Sequence, residues 1–150
     1  MYQPESQMLP DPLRHAEFYA DVPMKRAVAW IVDTVIVTLM VIVIVPFTAF
    51  TALFFLPVLW LGVGFLYRWS SIARHSATPG MRLMSVILLD RTGARFDTGT
   101  AFLHTLGYSL SMAFVLPQVV SVAFMLFNRR GQGLTDMVLG TVAINRPAGL

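Results

Sequence analysis

The sequence contains no cysteine. A disulfide framework, a thiolate metal site and a thiol nucleophile are therefore excluded together, and with them zinc ribbons, iron–sulfur proteins and cysteine hydrolases. Charge is scarce as well. Only 13% of the residues are Asp, Glu, Lys or Arg, about half the roughly 25% of an ordinary soluble chain. Lysine occurs once, at position 25. No GxxxxGK[ST], GxSxG or HExxH pattern and no paired-carboxylate pattern is present, and the two glycines at 131 and 133 are too few to cradle a phosphate. His15, His75 and His104 fall at no ligand spacing. The expectation is no metal, no cofactor and no enzymatic activity, since no nucleophile and base stand at a suitable separation.

What is abundant is apolar surface. Hydrophobic residues make up 56% of the 150 positions and the mean hydropathy is +0.67, which makes the bilayer the solvent for much of a single domain. The net charge of +3 comes from an arginine excess. In a membrane protein such an excess reports orientation, and no nucleic-acid partner is expected.

Between Arg26 and Arg68 lie 41 residues, Ala27 to Tyr67, whose only ionised side chain is Asp33. A membrane core of about 30 Å takes about 20 helical residues. The stretch therefore predicts two crossings, the first near Arg26 to Val45 and the second near Thr48 to Tyr67, with the turn at Pro46 and a kink at Pro57. Lys25 and Arg26 precede the hairpin, Arg68, Arg74 and Arg82 follow it, and its tip carries no charge. The positive-inside rule then puts both ends in the cytoplasm. No small-residue cleavage site follows the first apolar run, so no cleaved signal peptide is expected. Residues 1–24 read as a polar tail, either disordered or lying on the surface, 25–145 as the membrane domain and 146–150 as a C-terminal tail.

From Trp69 to Thr100 the chain turns polar. Thr78-Pro79-Gly80 is a turn signal. Ser85 to Leu89, the turn residues Asp90 to Gly93 and then Ala94 to Phe96 predict a β-hairpin. Its surroundings are basic, through Arg68, Arg74, Arg82, Arg91 and Arg95, which suits either a solvated loop or contact with anionic headgroups. A third apolar segment spans Ala101 to Phe127 and contains Pro117. A straight helix there would cross the membrane and leave Arg129 and Arg130 outside, against the charge rule. A segment broken at Pro117, bent or re-entrant, resolves that conflict. The fold class expected is thus an all-α membrane protein: a transmembrane helical hairpin, a cytoplasmic β-hairpin-like connector and a third, proline-broken segment.

Two groups of polar residues lie in this apolar frame. His104, Tyr108, Ser111 and Gln118 are spaced by four, three and seven residues, which puts them on one helical face. Such a stripe lines a pathway or, more commonly, supplies interhelical hydrogen bonds worth about 1 kcal/mol each. Arg26 and Asp33, seven residues apart with Trp30 between them, also share a face. An aspartate at the helix centre costs roughly 2.5–3.5 kcal/mol on insertion, while each Val, Ile or Leu returns about 0.3–0.6. The twelve such residues from Val28 to Val45 outweigh it. Asp33 is then either a functional carboxylate or half of a buried ion pair, with Arg26 or another cytoplasmic-side arginine. Unpaired, it would titrate; clamped by an arginine, it would stay ionised. Near the C-terminus Asp136 opens another short apolar run, where Thr135 or Asp136 can cap a helical turn.

Arg26 with Asp33, the Thr78-Pro79-Gly80-Met81-Arg82 turn, and Asp136 followed by Gly140-Thr141-Val142 together resemble the RDD family of small bacterial membrane proteins, named for one Arg and two Asp. The resemblance runs from Met24 to Asn145. It departs at Met81, where the family's turn has lysine and this chain has its positive charge one place later, at Arg82. It departs also at Thr135, where the family has histidine. The resemblance implies a multi-pass protein of the bacterial cytoplasmic membrane, associated with transport of unassigned ligands, some members being similar to cation/proton antiporters. It groups Arg26, Asp33 and Asp136 as one unit, placing Asp136 at the cytoplasmic mouth of the first helix. The first functional expectation is a transport or transport-associated protein, handling a small cation, a proton or another solute through these residues and assembled as a homo-oligomer or within a larger membrane complex. The second is a non-transporting scaffold or accessory subunit with the same residues as a clamp.

Overall fold

The computed structural model describes residues 9–147; the first eight residues of the expected N-terminal tail and the last three of the C-terminal tail lie outside it. Helix α1 covers Val22–Phe47, about 39 Å at a rise of about 1.5 Å per residue. Pro46 falls in its last turn and does not stop it until Phe47. A reversal through Ala49 and Phe50, both with positive φ, leads into a 3₁₀ turn at Thr51–Phe55 and then helix α2, Leu56–His75. The second helix thus starts eight residues later than expected and runs eight further (56 against 48, 75 against 67). Pro57 does not kink it. It stands in the first turn, where the backbone N–H that proline lacks would have no intrahelical partner anyway.

The helical stretches 16–47 and 51–75 are long and apolar enough to cross a membrane. In α1 the buried residues Ala29, Asp33, Val37, Val41 and Val45 recur every four positions, a narrow stripe facing the rest of the protein. Ile31, Val35, Leu39, Ile42 and Val43 lie exposed on the other faces, as do Phe54, Val58, Leu61 and Leu66. An apolar surface this continuous is unstable in water and at home in lipid.

Beyond α2 the chain folds a compact layer at the Arg26 end of the helices. Helix α3, Pro79–Leu83, is a single capped turn that leads into strand β1, Val86–Leu89. The β-hairpin expected here does not form. Asp90 does reverse the chain, its Oδ1 accepting from the Thr92 and Ala94 backbone N–H groups at 2.8 and 3.0 Å, but the returning residues make one bridge only, Leu89 with Arg95. Phe96 instead turns into the core, its N–H donating to Ser76 Oγ at 2.6 Å, and Asp97 caps helix α4, Thr98–Ala113. The partner of β1 is the distant strand β2, Val142–Asn145, antiparallel with Val86 opposite Asn145 and Leu89 opposite Val142. Both faces of this ribbon are covered. Val86, Leu88 and Ala143 pack with Val22, Ile72, Met81, Phe96 and Ala101, while Ile87, Leu89, Val142 and Ile144 pack under Tyr19, Phe18 and Leu9. The N-terminal segment from residue 9 is therefore an arm laid on the sheet, held also by hydrogen bonds from Asn145 to the Glu17 and Ala20 carbonyls.

Helix α4 is followed by helix α5, Val115–Phe127, after a bend of 118°. The break lies at Phe114, which is extended at φ −122° and ψ 118°, three residues ahead of the expected break at Pro117. Inside a continuous helix Pro117 would clash with the carbonyl of Ala113 and leave it unbonded; breaking at Phe114 places Pro117 in the first turn of α5 and removes both costs. Helix α6, Leu134–Leu139, then carries Asp136 back under α1 and α4 before β2 closes the sheet.

Candidate functional site

Asp33 is 3% exposed, and α1 aims it at the α3 turn. Its Oδ1 accepts from Tyr67 Oη at 2.7 Å and from the Gly80 N–H at 2.8 Å, and its Oδ2 accepts from Thr78 Oγ1 at 2.5 Å. Thr78 serves twice, because its Oγ1 also caps α3 by accepting from the Met81 N–H at 3.2 Å. Pro79 fills the first position of α3, where proline fits best. Gly80 is required by contact rather than by φ: a Cβ there would lie 2.3 Å from the Ala29 carbonyl oxygen and 2.8 Å from Asp33 Oδ1. The Thr-Pro-Gly turn is thus a receptacle for one carboxylate. Met81 is buried in the core beneath it and Arg82 points outward, exposed.

The arginine nearest Asp33 is Arg68, with Nη1 4.0 Å from Oδ2. The pairing with Arg26 allowed by their shared face is not made. Arg26 Nη1 bonds Asp136 Oδ2 at 2.6 Å and the Gly131 carbonyl at 3.4 Å. Asp136, 1% exposed, accepts three further bonds: from the Gly133 N–H at 3.2 Å, His104 Nε2 at 2.9 Å and Thr141 Oγ1 at 3.0 Å. Because an ionised carboxylate only accepts, His104 carries its proton on Nε2. Burial pushes the Asp136 carboxyl up, but the Arg26 charge and the hydrogen bonds from His104 and Arg26 outweigh it and hold the group well below the usual carboxylate range. Gly140 ends α6 in the left-handed region at φ 69°, a conformation that costs glycine nothing. The Thr141 N–H then closes on the Asp136 carbonyl at 2.9 Å and its hydroxyl meets the Asp136 carboxylate. Thr135, which precedes Asp136, sits where a Cβ on Gly107 of α4 would be, 2.6 Å from its methyl.

The one unit of three residues is therefore two clusters. Arg26 and Asp136 are brought together with His104 and Thr141; Asp33 is held separately by Thr78, Gly80 and Tyr67. Trp30 reaches neither acid, donating from Nε1 to Tyr108 Oη at 2.7 Å.

The stripe on α4 is divided. His104 belongs to the Asp136 cluster, and the Tyr108 ring lies 3.8 Å beneath the Arg68 guanidinium carbon. Ser111 is buried with no hydrogen-bond partner for Oγ among the described residues. Gln118 stands on α5 beyond the bend and does not continue the α4 face, yet it lines the same cavity as the other three. That cavity, of about 790 Å³, opens between α1, α4 and α5 and is bounded at one end by the Asp136 cluster and on its side by Arg68. It exists because α2 packs against both α1 and α4, which themselves hardly approach one another.

Sequence reasoning passed over Arg68, Tyr67 and Gly133. Arg68 reads as a flanking charge of the second crossing, but α2 continues two turns past it, and it is 7% exposed. The signal was its spacing of four from Ile72, the other buried residue of α2.

No curated protein and no solved structure matches the chain significantly. The model of the RDD family matches residues 20–140, a span that begins just before α1 and ends at the Gly140 cap of α6, and so contains both carboxylates with nearly every group that satisfies them. The chain belongs to the RDD family.

Proposed function

We propose that this protein handles a solute within the bacterial cytoplasmic membrane, as a transport or transport-associated protein, and that Asp33 and Asp136 serve it as fixed clamps rather than as carriers of a proton or cation. The observation that carries this reading is the hydrogen-bond inventory of the buried charges. Each oxygen of Asp136 accepts two bonds, and the Asp33 oxygens accept three between them with Arg68 Nη1 at 4.0 Å from Oδ2. Little acceptor capacity remains for a cation. Arg68 Nε, by contrast, has no hydrogen-bond partner among the described residues, and Arg68 lines a cavity large enough for a small molecule.

The same reading sets the topology. Helices α4 and α5, with 16 and 13 residues, are about 24 and 20 Å long, each short of a core of about 30 Å. A re-entrant pair returns Arg129 and Arg130 to the side of Arg26, read here as cytoplasmic, and the Arg26–Asp136 bond, which holds α6 beside Arg26, supports that reading. A chain with two full crossings encloses its cavity only in part, so the working form is a homo-oligomer or a larger membrane complex. That incomplete wall also favours a second reading, an accessory subunit whose cavity is completed by a partner.

Everted vesicles with an acid interior, challenged with Na⁺, K⁺ or Li⁺, test the clamp. The expected result is no cation-dependent collapse of the gradient, together with a reduced yield of inserted Asp33→Asn protein. A collapse that disappears in Asp33→Asn at full yield would make Asp33 the exchanging carboxylate.

A further inference from the structure

We propose that the cavity between α1, α4 and α5 binds a single-chain amphiphile whose oxyanion head, a carboxylate or phosphate, is received by Arg68 and Ser111. The inference rests on the reading of the cavity as the solute-handling part of the protein and names the class of solute.

Arg68 is the starting point. A guanidinium has five N–H donors in a rigid fork suited to planar oxyanions. Here it is 7% exposed, with its guanidinium carbon 3.8 Å over the centre of the Tyr108 ring, a contact that holds the group in place. Tyr108 is fixed in turn by the bond from Trp30. Among the described residues the one ion contact of Arg68, with Asp33, is 4.0 Å long, beyond hydrogen-bond range. Asp33 cannot close on it, because Thr78, Tyr67 and Gly80 already hold both carboxylate oxygens. The result is a buried, oriented donor group with Nε unpartnered among the described residues.

Ser111 lies one helical turn beyond Tyr108 on the same face and lines the cavity, with its own hydroxyl unpartnered among the described residues. Arg68 and Ser111 thus each bring an unpartnered donor to the residues that line the cavity, and His104 brings Nδ1, unpartnered as well, while the carboxylates that share its walls are already filled with donors. A ligand head that meets Arg68 must bring acceptors, because a guanidinium only donates, and an oxyanion supplies them.

The rest of the wall sets the body of the ligand. Met24, Met112, Met125, Val122 and Leu126 line it, and methionine is the apolar residue that adapts most readily to chains of varied shape. The depth of the head site decides between two sources of such an anion. Arg68 is 7% exposed, which favours a slim head on one chain over a phosphodiester flanked by glycerol and two acyl chains.

The test uses the full chain in phosphatidylcholine nanodiscs, with labelled dodecanoate and dodecyl phosphate as probes and empty discs as blank. Saturable binding of at least one of the two, at one per chain, is expected. Dodecanol and dodecylammonium should bind at least tenfold more weakly, and Arg68→Gln should lower oxyanion affinity at least tenfold. Because Arg68→Gln can disturb folding, Ala27→Trp provides a second variant. Ala27 is exposed and lines the cavity, outside both carboxylate clusters, and the indole should block binding. Dodecanol binding as tightly as both anions, with all of it lost in Ala27→Trp, would overturn the oxyanion site while leaving the cavity reading intact. Binding unchanged in Ala27→Trp, or no saturable binding of either oxyanion, would remove the proposal. So would displacement of the probe by equimolar phosphatidylglycerol, which would assign the site to a bilayer lipid.

Discussion

Asp33 and Asp136 are the same side chain in equally dry surroundings, and they are satisfied differently. Asp136 meets a full opposite charge at 2.6 Å, whereas Asp33 is held mainly by two hydroxyls and a backbone N–H, with its arginine at 4.0 Å. Removing either charge should therefore cost different amounts. Asp136→Asn leaves Arg26, its side chain only 11% exposed, without its counter-charge, a change that destabilises by about 3–5 kcal/mol. Asp33→Asn leaves a hydroxyl donor facing an amide, which costs about 1–3 kcal/mol. Thermal unfolding of the detergent-solubilised variants should rank Asp136→Asn well below Asp33→Asn; equal losses would mean that Arg68 counts as much as Arg26. The sign of the pH dependence follows from the depressed folded-state pKa of Asp136. Its contribution is fully present above the unfolded value of about 3.9 and fades as pH falls through the lower folded value. The Asp136 contribution should therefore be unchanged across neutral pH and be lost only in strong acid, as the difference in melting temperature between the parent and Asp136→Asn narrows.

At the scale of elements, close backbone approach decides which short pieces can dock. Gly80 brings α3 onto α1 with no room for a Cβ, so Gly80→Ala should lower stability by about 3 kcal/mol, the upper end for overpacking. Gly62, in α2, is the control, because a methyl added there would meet nothing within 4 Å. Gly62→Ala should leave the melting temperature unchanged or slightly raised. The turn itself is legible in the sequence, since Thr, Pro and Gly each have a local reason to be there. What it receives is not, because Gly80 and Asp33 are 47 residues apart and no local pattern encodes the contact. The same limit explains the sheet. Val86 to Leu89 is readable as a strand, but pairing follows burial on both faces, and the partner that offers three buried apolar residues is β2, not the Ala94–Phe96 return, which has Arg95 exposed and Phe96 turned into the core. The arm shows it again. Tyr19 sits in a polar stretch yet is 8% exposed, with its hydroxyl on the Pro10 carbonyl at 2.7 Å. Tyr19→Ala should cost about 3–5 kcal/mol, the range for losing a buried aromatic, and should raise proteolysis of the first 20 residues; a change within about 0.5 kcal/mol, the range for surface sites, would show the arm to be a loose cover.

For the whole molecule, the long apolar runs make the hairpin legible because hydrocarbon demands about 20 residues per crossing, whereas the third segment satisfies the length rule either straight or folded. Its geometry turns on one residue, Phe114, where a 118° bend sends α5 back toward the end from which α4 came. The two arrangements differ in where the loop after α5 emerges, and the absence of cysteine from the sequence makes every introduced thiol a unique label. Single variants Ala49→Cys at the hairpin tip, Arg91→Cys in the turn after β1 and Arg129→Cys after α5 each place the thiol outside the helices. In right-side-out and everted vesicles treated with a membrane-impermeant maleimide, Arg91→Cys and Arg129→Cys should label from the same face and Ala49→Cys from the opposite one. A straight crossing would move Arg129→Cys to the Ala49 face. It would also carry α6 away with it and break the Arg26–Asp136 bond, so labelling of that kind should coincide with Arg26→Ala and Asp136→Ala variants as stable as the parent. Labelling on the Arg91 face, with both variants destabilised, ties the bend, the sheet and the ion pair into one closed layer at the Arg26 end of the helices.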